Sequence, residues 1–283
     1  MKRIIIISVV LFLIVVFVGC GRFNSAHNTR DDTSPNVNAF INFLSTLDKT
    51  DLNSVNQAVT KFEDLKSKNK STNDELYRLF YDFYYKVIDY YNSSYYQGDL
   101  VKIKESDLKR NGLVVIEGEA GPYIFEKLSF IKSIFSEVVS EGVQKYIELD
   151  NEARTLRGGG FIFEDALLTM NWDELSDLIV KYEDYINNNL SYKIEVEKIQ
   201  EDLNFCLYIY TQCLDTVTFA YMSDETDNEF ELRDSYARFI KEYPKSKYQP
   251  IIEGYLDILK ENGFILDNTA KEYLIKNGIE VRE

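Results

Sequence analysis

The sequence predicts an all-α fold of paired helices, with at most one short β-hairpin near residues 113–125. Three observations carry that expectation. Apolar residues recur at three- and four-residue spacing along most of the chain, the period of a helix face. The stripes are separated by Gly, Pro and Asn-Gly signals at the distances helical pairs require. Only one short segment shifts to a strand-like run, Val114-Val115-Ile116 before Gly118, Gly121 and Pro122, then Tyr123 to Phe125.

The elements follow in order. Val37, Phe40, Ile41, Leu44 and Leu47 mark a first amphipathic helix. Leu52, Val55, Ala58, Val59, Phe62 and Leu65 mark a second. Residues 66–70 form a basic polar turn, and Thr72 with Glu75 suggests a capping box. The helix it opens carries Leu76, Phe80, Phe83, Tyr84, Val87, Ile88 and Tyr91. Residues 95–113 are polar and without period. After the hairpin, Leu128, Ile131, Phe135, Val138, Val139 and Tyr146 predict one long helix, broken at Gly158-Gly159-Gly160. Four or five helices follow. Their stripes are Leu175 to Ile186, Leu203 to Val217, Leu232 to Tyr243 and Ile251 to Leu259, with a short last helix capped by Thr269 and Glu272. Pro244, Asn262-Gly263 and Asn277-Gly278 are the stops.

Composition sets the class. The chain has 283 residues, 45% hydrophobic and 28% charged, with 21 Tyr and 18 Phe to supply core, so it reads as globular. Its formal net charge is -15, which makes nucleic acid an unsuitable partner, because phosphate binding needs clustered Lys and Arg. His27 is the single histidine, which removes Cys–His, Ser–His–Asp and multi-His metal chemistry. Cys206 and Cys213 are seven apart on a helical stripe, about 10 Å between Cα atoms, too far for a disulfide. They read as small buried hydrophobes.

The N-terminus reads as an address. Lys2 and Arg3 precede a 15-residue apolar run over residues 4–18, interrupted only by Ser8. As a helix it would span about 22 Å, short of a hydrocarbon core of about 30 Å, so it fits a signal h-region. The run ends in Phe17-Val18-Gly19-Cys20, which resembles the bacterial lipobox, with Phe17 where that motif usually has Leu. The resemblance implies cleavage after Gly19 and a diacylglycerol on Cys20; the alternative is an uncleaved signal anchor. Each buried CH₂ of such a chain adds about 0.8 kcal/mol, so two or three acyl chains anchor a soluble domain. Cleavage would remove Lys2 and Arg3 and no acid, taking the net charge from -15 to -17. The expected organisation is a lipoprotein signal peptide at 1–19, a disordered tether at 20–35, an N-terminal helical subdomain at 36–157 and a C-terminal helical-repeat-like subdomain at 158–283.

A weak internal repeat appears in the last of these. Glu174-Leu175-x-Asp177 matches Glu231-Leu232-x-Asp234 at a spacing of 57, in register with Tyr182 and Phe239. The second unit contains Tyr236-Ala237-Arg238-Phe239-Ile240-Lys241-Glu242-Tyr243-Pro244-Lys245-Ser246-Lys247-Tyr248. This resembles the helix junction of tetratricopeptide-like envelope lipoproteins, although Ile252 and Glu253 stand near the position where that family has Ala. The mature chain as a whole is similar to uncharacterised membrane lipoproteins of Gram-positive bacteria. That resemblance implies stacked helical pairs and a surface address, and no activity.

Candidate sites are few. Asp224, Glu225, Asp227, Glu229, Glu231 and Asp234 form an acidic loop without the spacing of an EF-hand, and read as solvated acids before a helix. The glycine triplet lacks the Lys-Ser/Thr of a P-loop. Tyr182, Phe239 and Tyr243 read as interior packing. In the aromatic run from Tyr77 to Tyr96, Tyr81, Tyr85, Tyr95 and Tyr96 fall off the apolar stripe, and rigid amphipathic Tyr suits sugar or peptide contacts. The expectation is a non-enzymatic, lipid-anchored helical binding or scaffold protein on the extracytoplasmic face of a bacterial membrane, with no cofactor or metal and with protein, peptide or glycan partners. The alternatives are a solute-binding lipoprotein and a carboxylate-dependent secreted hydrolase.

Overall fold

Helix follows helix along the chain, as the apolar spacing requires. A computed structural model describes residues 34–95, 103–118, 121–156, 163–164, 167–168, 170–212 and 227–281. Among them are α1 (Pro35–Thr46), α2 (Asn53–Leu65), α3 (Lys70–Tyr95), α4 (Glu105–Arg110), β1 (Leu113–Gly118), β2 (Gly121–Glu126), α5 (Phe130–Phe135) and α6 (Glu141–Leu156). Then come β3 (Phe163–Glu164), β4 (Leu167–Leu168), α7 (Trp172–Asn188), α8 (Lys193–Gln212), α9 (Asp227–Glu242), α10 (Gln249–Glu261) and α11 (Asn268–Lys276). The all-α class and the hairpin are as expected. The pairing Val115↔Ile124 centres the hairpin, and a second antiparallel pairing, β3 with β4, adds two residues a side. No helix of the described residues is long and apolar enough to cross a membrane.

Phe135 organises the N-terminal core. Its ring lies 4.5 Å from Phe62, 5.1 Å from Phe80 and 5.3 Å from Tyr77, so α2, α3 and α5 meet on one fully buried residue. The predicted long helix after the hairpin is in fact two. Asn73 and Asp74, both buried in the first turn of α3, take the backbone between them. Asn73 Nδ2 donates to Val138 O at 2.8 Å, and the Ser140 N–H donates to Asp74 Oδ1 at 2.8 Å. Ser129, left-handed at φ 64°, starts α5 with its N–H on Asn151 Oδ1.

Both expected caps move. Asn69, not Thr72, accepts the Ser71 N–H at 3.0 Å, and Asp267, not Thr269, accepts the Ala270 N–H at 2.9 Å. In each case an Asn or Asp just ahead of the first helical residue, free of helical backbone geometry, takes the cap from a Thr already inside the first turn. Residues 105–110 are helical rather than unstructured, and the acidic stretch is helical from Asp227 onward.

In the C-terminal part, α7–α8 and α9–α10 form two helix–turn–helix pairs, and α9 packs on α7. Positions 57 apart are buried alike: Leu175 with Leu232, Ile179 with Tyr236, and Tyr182 with Phe239. The last carbonyls of a helix lack intrahelical partners. Two buried tyrosines supply them for α8: Tyr236 Oη donates to Tyr210 O at 2.6 Å, and Tyr255 Oη donates to Thr211 O.

Ser34–Glu283 forms one compact unit. The expected boundary at 157/158 lies outside the described residues. Contacts join what stands on either side of it. Arg78 of α3 grips Glu195 of α8 with two hydrogen bonds, 2.8 and 3.0 Å. Tyr185 Oη donates to Gly142 O at 3.0 Å. Gly142 lies so close to the Tyr192 ring that a Cβ there would be 2.2 Å from it.

Candidate functional site

Helical periodicity puts Tyr77, Tyr81 and Tyr85 four residues apart on one face of α3. Their rings follow one another in series, tilted by 56° and 35°, with centroids 5.7 and then 4.5 Å apart. The strand alternation of β2 puts Glu126 on the same face as buried Ile124, turned toward this row. Helix α6 brings Asp150 and Arg154, one turn apart, and α8 brings Lys198 from the C-terminal part.

A chain of polar contacts results. Asp150 Oδ2 accepts from Arg154 Nε at 2.9 Å. Arg154 Nη2 donates to Tyr85 Oη, and Tyr85 Oη donates to Glu126 Oε2 at 3.1 Å. Lys198 Nζ stands 4.3 Å from the centre of the Tyr81 ring, a cation–π distance. Burial pushes the Glu126 carboxyl up to about 7, against the pull of Arg154. Burial likewise lowers Lys198, with Asp150 and Asp202 opposing. Burial works against the charge of Arg154, but Asp150, Tyr85 and Glu126 outweigh it and hold the guanidinium charged.

Chemically, this is a proton-holding carboxyl joined to a fixed cation through a phenol. Glu126 is only 5% exposed, and Asp150, Arg154 and Lys198 stand half-buried at the rim above it. The cluster suits holding elements together, with a rim of mixed charge over an aromatic floor.

The four tyrosines singled out in the sequence separate. Tyr81 is buried rather than displayed, because Lys198 covers its ring. Tyr85 is half-buried beneath Arg154. Tyr95 is the last residue of α3, and Tyr96, Cys20 and Cys213 lie outside the described residues. Cys206 is buried. Tyr182 and Phe239 are interior, as expected, whereas Tyr243 is half-buried with its hydroxyl on Asp177 Oδ1 at 2.5 Å. Asp224 and Glu225 lie outside the described residues. Among the described residues no group of three His, Cys, Asp or Glu could hold a metal ion. Sequence reasoning missed Glu126, Arg154 and Lys198. Glu126 falls one residue beyond the predicted hairpin, and the available signal was its two-residue spacing from Ile124, had the strand been extended by one position.

The repeat junction has its own polar geometry. Arg238 Nη2 donates to Asp177 Oδ1 at 2.7 Å and Nη1 to Ser176 Oγ at 3.0 Å. Buried Glu183 accepts from Ser246 Oγ at 2.5 Å and from the Lys247 N–H at 2.7 Å. The Tyr-Pro-x-Ser sequence thus fastens the α9–α10 turn to α7. A shallow groove of about 450 Å³ between α1 and α2 is lined mainly by amide and hydroxyl side chains, Asn53, Asn56, Gln57 and Thr60 among them. No family model, curated protein or solved structure matches the chain.

Proposed function

We propose that the chain is a lipid-anchored helical binding or scaffold protein on the extracytoplasmic face of a bacterial membrane. One observation carries this: Lys2-Arg3, an apolar run too short to span comfortably, and Gly19-Cys20 at its end. Cys20 would carry the lipid and the polar residues after it would act as tether. The helical unit beyond would act by capture rather than catalysis, stacking its helix pairs in the tetratricopeptide manner. The 57-residue spacing and the packing of α9 on α7 support that stacking. Protein, peptide or glycan would be the captured class. Nucleic acid is disfavoured by the net charge of -15.

The test is fractionation of Cys20→Ala beside the unaltered chain. The variant should leave the membrane fraction for unprocessed precursor or the medium. A variant that stays processed and needs detergent for release would sink the anchor. A pull-down with the detergent-solubilised full chain that captures no protein, peptide or glycan would sink the binding role.

A further inference from the structure

The two edges of the β1–β2 hairpin are finished differently. On the β2 side, the Ile124 N–H donates to Asn92 Oδ1 at 2.7 Å, and Asn92 Nδ2 donates to Ile124 O at 3.0 Å. The Asn92 amide offers one acceptor and one donor, as a neighbouring strand would, and so closes that edge. Both Ile124 groups therefore point away from β1. In an antiparallel ladder, directly opposed residues either exchange both bonds or both turn outward. Val115 is directly opposite Ile124, so its N–H and C=O face outward on the far side. The Lys127 N–H bond to Gly112 O, 2.7 Å, fixes the same alternation. Gly112, Val114 and Ile116 bond inward, while Leu113, Val115 and Glu117 turn their main chain outward.

Among the described residues no hydrogen bond reaches the outward N–H and C=O of Val115. Its side chain is 44% exposed, against 2% for Ile124 opposite. Natural edge strands are blunted by Lys, Pro or a bulge. β1 has none of the three, carries a single charge at Glu117 near its end, and is rich in β-branched residues over Leu113-Val114-Val115-Ile116.

We infer that the outer edge of β1 is a docking site for an extended, basic peptide segment of another protein, which joins the hairpin as a third strand. Main-chain bonds to Val115 would give the pairing, and alternate apolar side chains would cover the exposed Val115. Charge selects the occupant. At a net charge of -15 the chain repels its own copy and attracts a segment carrying Lys or Arg at the solvent-facing positions. Area argues the same way. An edge of six residues is about 20 Å long and an added strand about 5 Å wide, a strip that suits a peptide and falls far short of the roughly 1,200 Å² of a stable dimer. The inference rests on the capture role proposed above and names its surface and partner class.

The test uses the full chain in detergent micelles and a capped octapeptide of alternating valine and lysine. The control is the same peptide N-methylated at alternate residues, which keeps charge and side chains but loses backbone donors. In the free protein the Val115 amide should exchange rapidly with solvent and the Ile116 amide slowly. The plain peptide should bind at least tenfold more tightly than its N-methylated form and slow exchange at Val115. Val115→Pro removes an outward N–H and leaves the β1–β2 ladder intact, so it should weaken binding at least tenfold. Val115→Lys places a cation against a cationic peptide and should weaken it as well, which covers the case in which the proline variant fails to fold. Equal affinity for both peptides, no binding of either, or undiminished binding by both folded variants would overturn the inference. Such a failure with Cys20-dependent anchoring intact removes the edge and leaves the anchored protein. Peptide binding without anchoring does the reverse.

Discussion

The C-terminal pairs and the N-terminal part are built from the same helix physics, yet they end their helices in different ways. In the C-terminal part the stops of α9, α10 and α11 are local, and remote groups such as Glu183 only fasten the turns that these stops create. Helix α9 halts two residues before Pro244, and α10 and α11 run out at Gly263 and Gly278, both left-handed at φ 74° and 76°. In the N-terminal part the breaks are imposed from a distance. The gap between α5 and α6 belongs to Asn73 and Asp74, 65 and 66 residues upstream of the atoms they hold. The β2 edge belongs to Asn92, 32 residues away. A chain that stops its helices locally is readable in segments, whereas one that stops them with remote side chains becomes readable only when folded.

The largest test of this contrast is Phe239→Ala. Phe239 is fully buried between the two repeat units, and its truncation should cost about 3–5 kcal/mol. Because contacts cross from α3 and α6 to α7 and α8, denaturant unfolding should remain one transition, shifted as a whole. Two separated transitions would show that the local and remote regions fold independently.

Glu195→Ala probes the joint itself. Glu195 is 2% exposed and holds Arg78 by two bonds, so its loss should cost about 3 kcal/mol. The exposed Lys181–Glu152 pair also crosses the joint. Breaking that pair with Glu152→Ala should change stability by less than about 0.5 kcal/mol. Equal losses from the two variants would mean that burial does not govern the joint.

The hairpin and the helical stripes were legible because each rests on near-neighbour periodicity. The tyrosine cluster was half legible. Tyr81 and Tyr85 announce themselves by leaving the apolar stripe of α3, but what faces them comes from far along the chain, Arg154 being 69 residues from Tyr85. Off-stripe aromatics look like free surface in a sequence, and only packing reveals that α6 and α8 have covered them. The cap positions failed for a smaller reason. Asn69 and Asp267 each lie just ahead of a Thr-x-x-Glu match, and the pattern alone does not say which candidate the chain uses.

The Glu126 effect has a defined sign. Its folded value of about 7 lies above the ordinary 4.5 because burial disfavours the charge. The protonated acid therefore stabilises the fold fully below about pH 4.5, and this contribution is lost as pH rises through 7. Between pH 5 and pH 8 the unaltered chain should lose stability from this group, on the order of 2–3 kcal/mol. Glu126→Gln, which cannot titrate, should remove that part of the slope. An identical pH dependence in both proteins would show that the remote cluster does not hold its proton.

The measurement closest to the central claim is the intact mass of the membrane-extracted protein together with its N-terminal peptide. An anchored binding protein predicts a chain beginning at Cys20, heavier than its sequence by a diacylglycerol unit, with or without a further N-acyl chain. A chain that still begins at Met1, or one cut elsewhere with a free Cys20 thiol, would contradict it.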